Sequence, residues 1–171
     1  ELLKLPETKF MGYESLKNDS SQVVWLQSSE NKGVIILNTT PFYPEGGGQT
    51  GDIGKIKGNG FEFCVTDTQK KAKVILHYGY FTNGNAKTGD ICTAEVDEAR
   101  RHATKRNHTA THLLQAALRK TLGTHVRQVG SLVNPEKLRF DFTHGKGLTQ
   151  DEITKIEDWV NNAILENIPV N

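Results

Sequence analysis

Cysteine is nearly missing from this chain, and the two present, Cys64 and Cys92, stand apart. Without a Cys-x-x-Cys pair they form no metal knuckle, and two are too few for a disulfide scaffold. They read as buried or neutral thiols in a reducing compartment. Net charge is equally scarce: 21 Lys and Arg against 20 Asp and Glu leave +1. Such a balance exerts no global pull on nucleic acid, so any RNA contact has to be a local patch. No apolar run approaches the roughly 20 residues that a membrane-spanning helix needs. Hydrophobic residues at 36% with charged ones at 24% exclude a disordered polyelectrolyte as well. Signal-peptide patterns, internal repeats and low-complexity segments are absent too. What remains is a chain of 171 residues, long enough to bury a core as one domain or two subdomains.

The pattern changes near residue 98. Before it come short β-rich runs at 22–27, 33–39, 51–57, 61–66, 73–78 and 91–96, separated by turn signals at Asn31-Lys32-Gly33, Gly58-Asn59-Gly60 and Asn83-Gly84-Asn85. Closely spaced strands with tight turns predict a small barrel or sandwich. A long helix follows over 100–123, dense in helix formers and stopped at Gly123. Short strands are expected at 129–133 and 137–143. Thr149-Gln150-Asp151-Glu152 then carries a capping-box signature, and Ile153, Ile156, Trp159, Val160, Ala163 and Ile164 recur at helical spacing until Pro169. The fold class is therefore α+β: a β-barrel-like subdomain over 1–98, then a helix-and-antiparallel-sheet subdomain over 99–171.

Within the long helix, His108 and His112 are four residues apart in Arg106-Asn107-His108-Thr109-Ala110-Thr111-His112. Positions i and i+4 share a helix face, so both imidazoles can converge on one metal ion or substrate. Protein zinc needs three or four ligands, and ordinary surface or polar-core histidines fit the same spacing. Gln115 shares the stripe and Thr111 adjoins it, at the edge of an apolar face made by Leu114, Ala117 and Leu118. Such an edge suits a pocket lining, although a helix-interior Thr can also bond its own backbone. His102, His125 and His144 lack an evident second ligand and fit structural histidines.

Gly46-Gly47-Gly48, followed by Gln49, permits positive φ and close backbone approach, so its N–H groups suit a phosphate or carboxylate; a tight connector between strands is the other reading. It is no P-loop, lacking a Gly-Lys-Ser/Thr ending. Arg100, Arg101, Lys105 and Arg106 make a basic cluster, with Arg119, Lys120 and Arg127 beyond. It serves either as a solvated helix face or as a holder of RNA backbone with salt-sensitive affinity. Trp25 and Trp159 lie in apolar-periodic segments and fit core packing better than base stacking.

Three ordered motifs, PFYPEGGGQTGDIG from Pro41, RNHTATHLLQAALRKTLGTHVRQVGSLV from Arg106 and LRFDF from Leu138, resemble the editing domain of alanyl-tRNA synthetase. Free-standing alanyl-tRNA editing proteins carry similar segments, and the threonyl-tRNA synthetase editing domain is a more distant relative. The likeness covers nearly the whole chain, which looks like a piece excised from a larger protein and truncated within the editing subdomain. It implies hydrolysis of seryl or glycyl esters on the acceptor end of tRNA(Ala), in the cytoplasm. The need is physical: a pocket for alanine discriminates against glycine or serine by only about 1 to 3 kcal/mol.

The same resemblance implies that Thr111 and Gln128 bond the serine hydroxyl or place the attacking water. Alanine would leave them unpaired at a cost of about 1 to 3 kcal/mol. It further implies a Zn2+ held by His108 and His112, which orients the substrate or lowers the pKa of a bound water, positioning being favoured, and it places Gly46, Gly47, Gly48 and Gln49 near the pocket. Of the two readings of Arg100, Arg101, Lys105 and Arg106, the RNA-facing one would hold the tRNA acceptor backbone. ATP and Mg2+ belong to the ligation reaction of the larger protein. The family completes its metal site with a downstream Cys-x-x-x-His that does not occur before Asn171. Cys64 and Cys92 are followed at the fourth position by Thr68 and Val96, so neither supplies it. Half a metal site is expected here. The alternatives are a non-catalytic tRNA-binding module, a free-standing trans-editing deacylase, and a metal-dependent esterase acting on small molecules.

Overall fold

A computed structural model describes residues 2–167. The described residues are mixed α and β, mostly sheet with two α-helices and a short 3-10 turn at Leu2–Lys4, and the chain divides into two compact units, Glu1–Arg101 and His102–Asn171. The first is built on strands β1 (Lys9–Phe10), β2 (Lys17–Ser29), β3 (Lys32–Leu37), β4 (Thr39–Thr40), β5 (Gly54–Gly58), β6 (Phe61–Lys71), β7 (Val74–Asn83) and β8 (Ile91–Val96). Six of them close a barrel in the order β2-β3-β7-β6-β5-β8. Closure leaves no unpaired edge among those strands. The remaining two, β1 and β4, pair in parallel, Lys9 opposite Thr39 and Phe10 opposite Thr40.

Alternation along the strands fills the barrel. Val23, Ile35, Leu37, Ile56, Phe63, Val65 and Ala94 point into one core, whereas Ile36, Val74 and Leu76 pack outside it with Leu2, Leu5, Val24 and Trp25. That is why 34–37 reads as an unbroken apolar run: both faces of β3 are covered. One hairpin outruns the sequence expectation in both of its strands. β6 continues past Thr66 to Lys71 and β7 past Tyr78 to Asn83, joined at Ala72-Lys73, where Ala72 takes φ 54°. Polar residues from Asp67 to Lys71 hid the extension of β6, although Thr68 is fully buried there, and Gly79 interrupted the apolar signal of β7 ahead of buried Phe81.

His77 is fully buried on β7. Its Nδ1 lies 2.9 Å from the Ile35 carbonyl, which can only accept, and its Nε2 lies 2.8 Å from Thr40 Oγ1. The ring is therefore neutral, donating through Nδ1 and accepting at Nε2. Burial lowers its pKa to about 4, against a weaker opposing effect of the Ile35 carbonyl. Cys92, also buried, is pushed up to about 12 by burial and by nearby Asp90, so it is an inert thiol.

Helix α1 (Glu98–Leu122) begins in the first unit and runs on through the second, which adds β9 (Gln128–Val133), β10 (Leu138–Phe142) and α2 (Gln150–Leu165). β9 and β10 pair antiparallel. Ala117 and Leu118 of α1, Val126, and Ile156 of α2 form the core here, with Leu114, Phe140, Phe142 and Trp159 packed on it. Thr149 caps α2 as its sequence announces: its hydroxyl accepts from Glu152 N, and the Glu152 carboxylate accepts from Thr149 N. The Pro169 stop lies outside the described residues. Both tryptophans pack against hydrophobic clusters, and Lys120 Nζ sits 5.6 Å from the Trp159 ring centroid. No helix among the described residues is long and apolar enough to cross a membrane.

Candidate functional site

The histidine pair lies in the middle of α1, where the i,i+4 spacing does what helical geometry requires. His108 Nε2 and His112 Nε2 stand 3.1 Å apart, with ring centroids at 5.0 Å. Two nitrogens so placed fit one ion about 2.0 to 2.1 Å from each, at an angle near 100°. His108 is half-buried and His112 exposed. Burial first, then the neighbouring His112, lowers the His108 pKa, which keeps the ring in the neutral, ligating form. Among the described residues no group of three or more His, Cys, Asp or Glu gathers to hold a metal. The pair fits two positions of a tetrahedral zinc site.

Thr111 is buried, at 8% exposure, and its Oγ1 donates to the Asn107 carbonyl at 2.8 Å. This is the helix-interior back-bond. The hydroxyl proton is thus used, and what Thr111 retains toward a ligand is acceptor capacity. Asn107 itself donates through Nδ2 to the Asn134 carbonyl at 2.7 Å and to Pro135 O at 3.3 Å, fastening α1 to the β9–β10 connection. Sequence reasoning passed over Asn107, because its partners lie 27 and 28 residues away.

Gln128 opens β9, opposite Phe142, while Gly130 faces Asp141, so Val129 is an extra residue in the ladder. The resulting bulge leaves Val129 71% exposed and re-aims the strand's start. Gln128 is exposed as well, its Nε2 donating to Ser131 Oγ at 3.1 Å. Nearby, His125 and His144 form a second imidazole pair that the sequence did not announce, Nε2 to Nδ1 at 3.0 Å with stacked rings. Each supplies the partner that the other lacked in the sequence reading.

In the first unit, the glycine triplet folds as a two-residue hairpin. Gly46 and Gln49 exchange both backbone hydrogen bonds, at 3.1 and 3.0 Å, and Gly47 and Gly48 take φ 60° and 83°. Positive φ at both central positions is the turn that matches strand twist, and glycine adopts it without strain. The tight connector is what forms. Its base is closed by Tyr43 and Asp52, whose backbones bond at 2.9 Å, and Gln49 is buried beneath it.

One basic residue must be withdrawn from the RNA-facing cluster. Arg101 is only 4% exposed. Its Nε lies 3.0 Å from both Asp52 carboxylate oxygens, its Nη2 pairs with Asp52 as well, and Nη1 and Nη2 donate to the Gly12 and Pro41 carbonyls at 2.8 Å. With its donors spent inside the barrel unit, no phosphate can reach it. Neighbouring Arg100 is half-buried, while Lys105 and Arg106 are exposed on α1. In sequence the buried arginine is indistinguishable from its neighbours, since its acidic partner lies 49 residues away.

A family model described as tRNA synthetases class II (A) matches residues 4–100. The chain is 48% identical over 174 residues to the alanine–tRNA ligase of Rhodopseudomonas palustris, an alignment covering 96% of this chain and 20% of that protein. It is 47% identical over 176 residues to the alanine–tRNA ligase of Carboxydothermus hydrogenoformans, covering 98% of this chain and again 20% of the relative. The chain thus spans about a fifth of the length of the curated relatives it matches.

Proposed function

This chain belongs to the class II (A) tRNA synthetase family, and we propose that it forms part of an editing hydrolase within an alanine–tRNA ligase, removing serine or glycine wrongly esterified to tRNA(Ala). The observation that carries this reading is the convergence of His108 Nε2 and His112 Nε2 at 3.1 Å, one residue from buried Thr111. The names of the relatives agree with a tRNA-directed role.

His108 and His112 would hold zinc through two of its positions, the remaining ligands not being among the described residues. Bound zinc would contribute charge that orients the ester carbonyl and favours its attack by water. Thr111, its proton given to Asn107, accepts a hydrogen bond from a seryl hydroxyl. Discrimination against the alanyl ester at this residue therefore comes from one accepted hydrogen bond, worth about 0.5 to 1.5 kcal/mol. It does not come from an unpaired donor, which the back-bond already satisfies. The Gln128 carboxamide has two N–H donors, of which Ser131 takes one. The other is suited to a water or a substrate carbonyl. Exposed Lys105 and Arg106 supply positive charge for the acceptor backbone, in a protein working in the cytoplasm.

The test is deacylation of seryl-tRNA and alanyl-tRNA by this chain and by a version extended through a Cys-x-x-x-His element, each with zinc. Seryl release by the longer version alone, lost in His108→Ala and Thr111→Val, is the expected result. Inactivity of both, with salt-sensitive tRNA binding that survives His108→Ala and His112→Ala, would replace hydrolysis by a binding role.

A further inference from the structure

A cleft of about 610 Å3 opens in the barrel unit, lined by Lys9, Phe10, Tyr13, Tyr43, Lys70 and Ile75 among others. Its volume lies within the roughly 300 to 1,000 Å3 of small-ligand clefts. It includes the most exposed large hydrophobic side chain among the described residues, Tyr13, at 82%. A solitary exposed aromatic is ordinary; what sets this one apart is how firmly it is presented.

Tyr13 sits on a turn fixed from several sides. Met11 N donates to the Thr40 carbonyl at 2.9 Å, and Glu14 N and Ser15 N close back onto the Met11 carbonyl at 3.0 and 3.2 Å. Buried Arg101 donates to the Gly12 carbonyl at 2.8 Å. Only glycine fits at position 12, since a Cβ there would meet Pro41 O at 2.2 Å. The ring stands edge-on to Phe10, centroids 5.0 Å apart at 86°, and Phe10 stands edge-on to Tyr43 at 6.0 Å and 73°. Three aromatics thus form a braced wall whose outermost member remains open to solvent. Burial, followed by the neighbouring Tyr13, raises the Tyr43 pKa, so its phenol stays protonated and able to donate.

We infer that this cleft receives an unpaired nucleotide of an RNA, its base stacked on the Tyr13 ring and its phosphate beside Lys9 or Lys70. The inference rests on the tRNA-directed reading above. Every base offers a π face, and stacking on a fixed ring is sequence-tolerant. Rim charge selects between nucleic-acid forms. Lys9 and Lys70 are offset by Glu7 and Glu45 on the same lining, Glu45 being further engaged by the Gln69 amide at 2.6 Å. A balanced rim suits one base with one phosphate and does not track the phosphate run of a duplex.

The experiment uses the 171-residue chain and a short, fluorescein-labelled, single-stranded RNA carrying one 4-thiouridine. Anisotropy reads binding, and photocrosslinking with peptide mapping reads location. The expected result is a crosslink on the peptide bearing Tyr13, about tenfold weaker binding in Tyr13→Ala, retention in Tyr13→Trp, and poor competition by the same sequence as duplex. No binding, crosslinks confined to other peptides, unchanged affinity in a folded Tyr13→Ala, or equal competition by duplex would each overturn it. Hydrolysis is not read here, so the two readings fail separately. Loss of seryl-tRNA deacylation with Tyr13-dependent binding intact sinks only the editing reading, and the converse sinks only this one.

Discussion

Replacing Asp52 by alanine should cost the barrel unit about 3 to 5 kcal/mol, the usual penalty when one partner of a buried ion pair is removed. The magnitude follows from the surroundings. The side chains of Arg101 and Asp52 are 4% and 6% exposed, so solvent cannot take over the lost interaction. Without the carboxylate, the guanidinium keeps only the Gly12 and Pro41 carbonyls, and Tyr43 N loses its 2.7 Å acceptor. A domain's whole stability is about 5 to 15 kcal/mol, so the loss is a large fraction of it. Asp52→Asn, which keeps an acceptor for Tyr43 N but no charge, should fall between. Arg101→Met with Asp52→Leu should recover much of the loss, because no charge is then stranded. Urea titration followed by Trp25 fluorescence in a Trp159→Phe background isolates the barrel, those being the chain's two tryptophans. A loss under about 1 kcal/mol for Asp52→Ala would refute the reasoning and return Arg101 to the exposed basic cluster.

His77 makes stability depend on pH. Folded, it stays neutral down to about 4, whereas the unfolded chain takes up a proton below 6.5, so stability is full above 6.5 and declines as pH falls toward 4. The total is on the order of 3 kcal/mol, and a His77→Gln variant, though weaker at neutral pH, should lack that share of the slope in denaturant titrations. Thr149→Ala should cost about 1 kcal/mol by removing the α2 cap; an unchanged melting temperature would contradict it. Gly51→Ala should destabilise the barrel, since its Cβ would lie 2.2 Å from the Thr68 carbonyl, whereas Gly60→Asn, in open space at φ 81°, should be nearly neutral by the same measurement.

The histidine pair could be read from sequence because both members lie on one helix, where spacing alone brings Nε2 to Nε2. The capping box, the strand at 91–96 and the apolar face of Leu114, Ala117 and Leu118 were legible for the same reason: each is a local pattern. The reading faltered where partners are remote. Arg101 looked like its exposed neighbours until Asp52 closed on it, and His125 looked solitary until β10 carried the chain back to His144. The polar end of β6 and the stretch of β7 after Gly79 escaped because strands are extended by backbone pairing, which side-chain patterning does not report.

Sequence by itself determined the periodicities, from the two-residue alternation of the barrel strands to the four-residue step from His108 to His112, because these depend on backbone geometry within a few residues. Tertiary structure alone decided which charges are solvated, which hydroxyls are spent and which aromatic faces water. Thr111 gives its proton to Asn107, Arg101 disappears beneath Gly12 and Pro41, and Tyr13 is held out on a braced turn. Those outcomes depend on burial and on partners brought together from distant parts of the chain, and no local pattern encodes either.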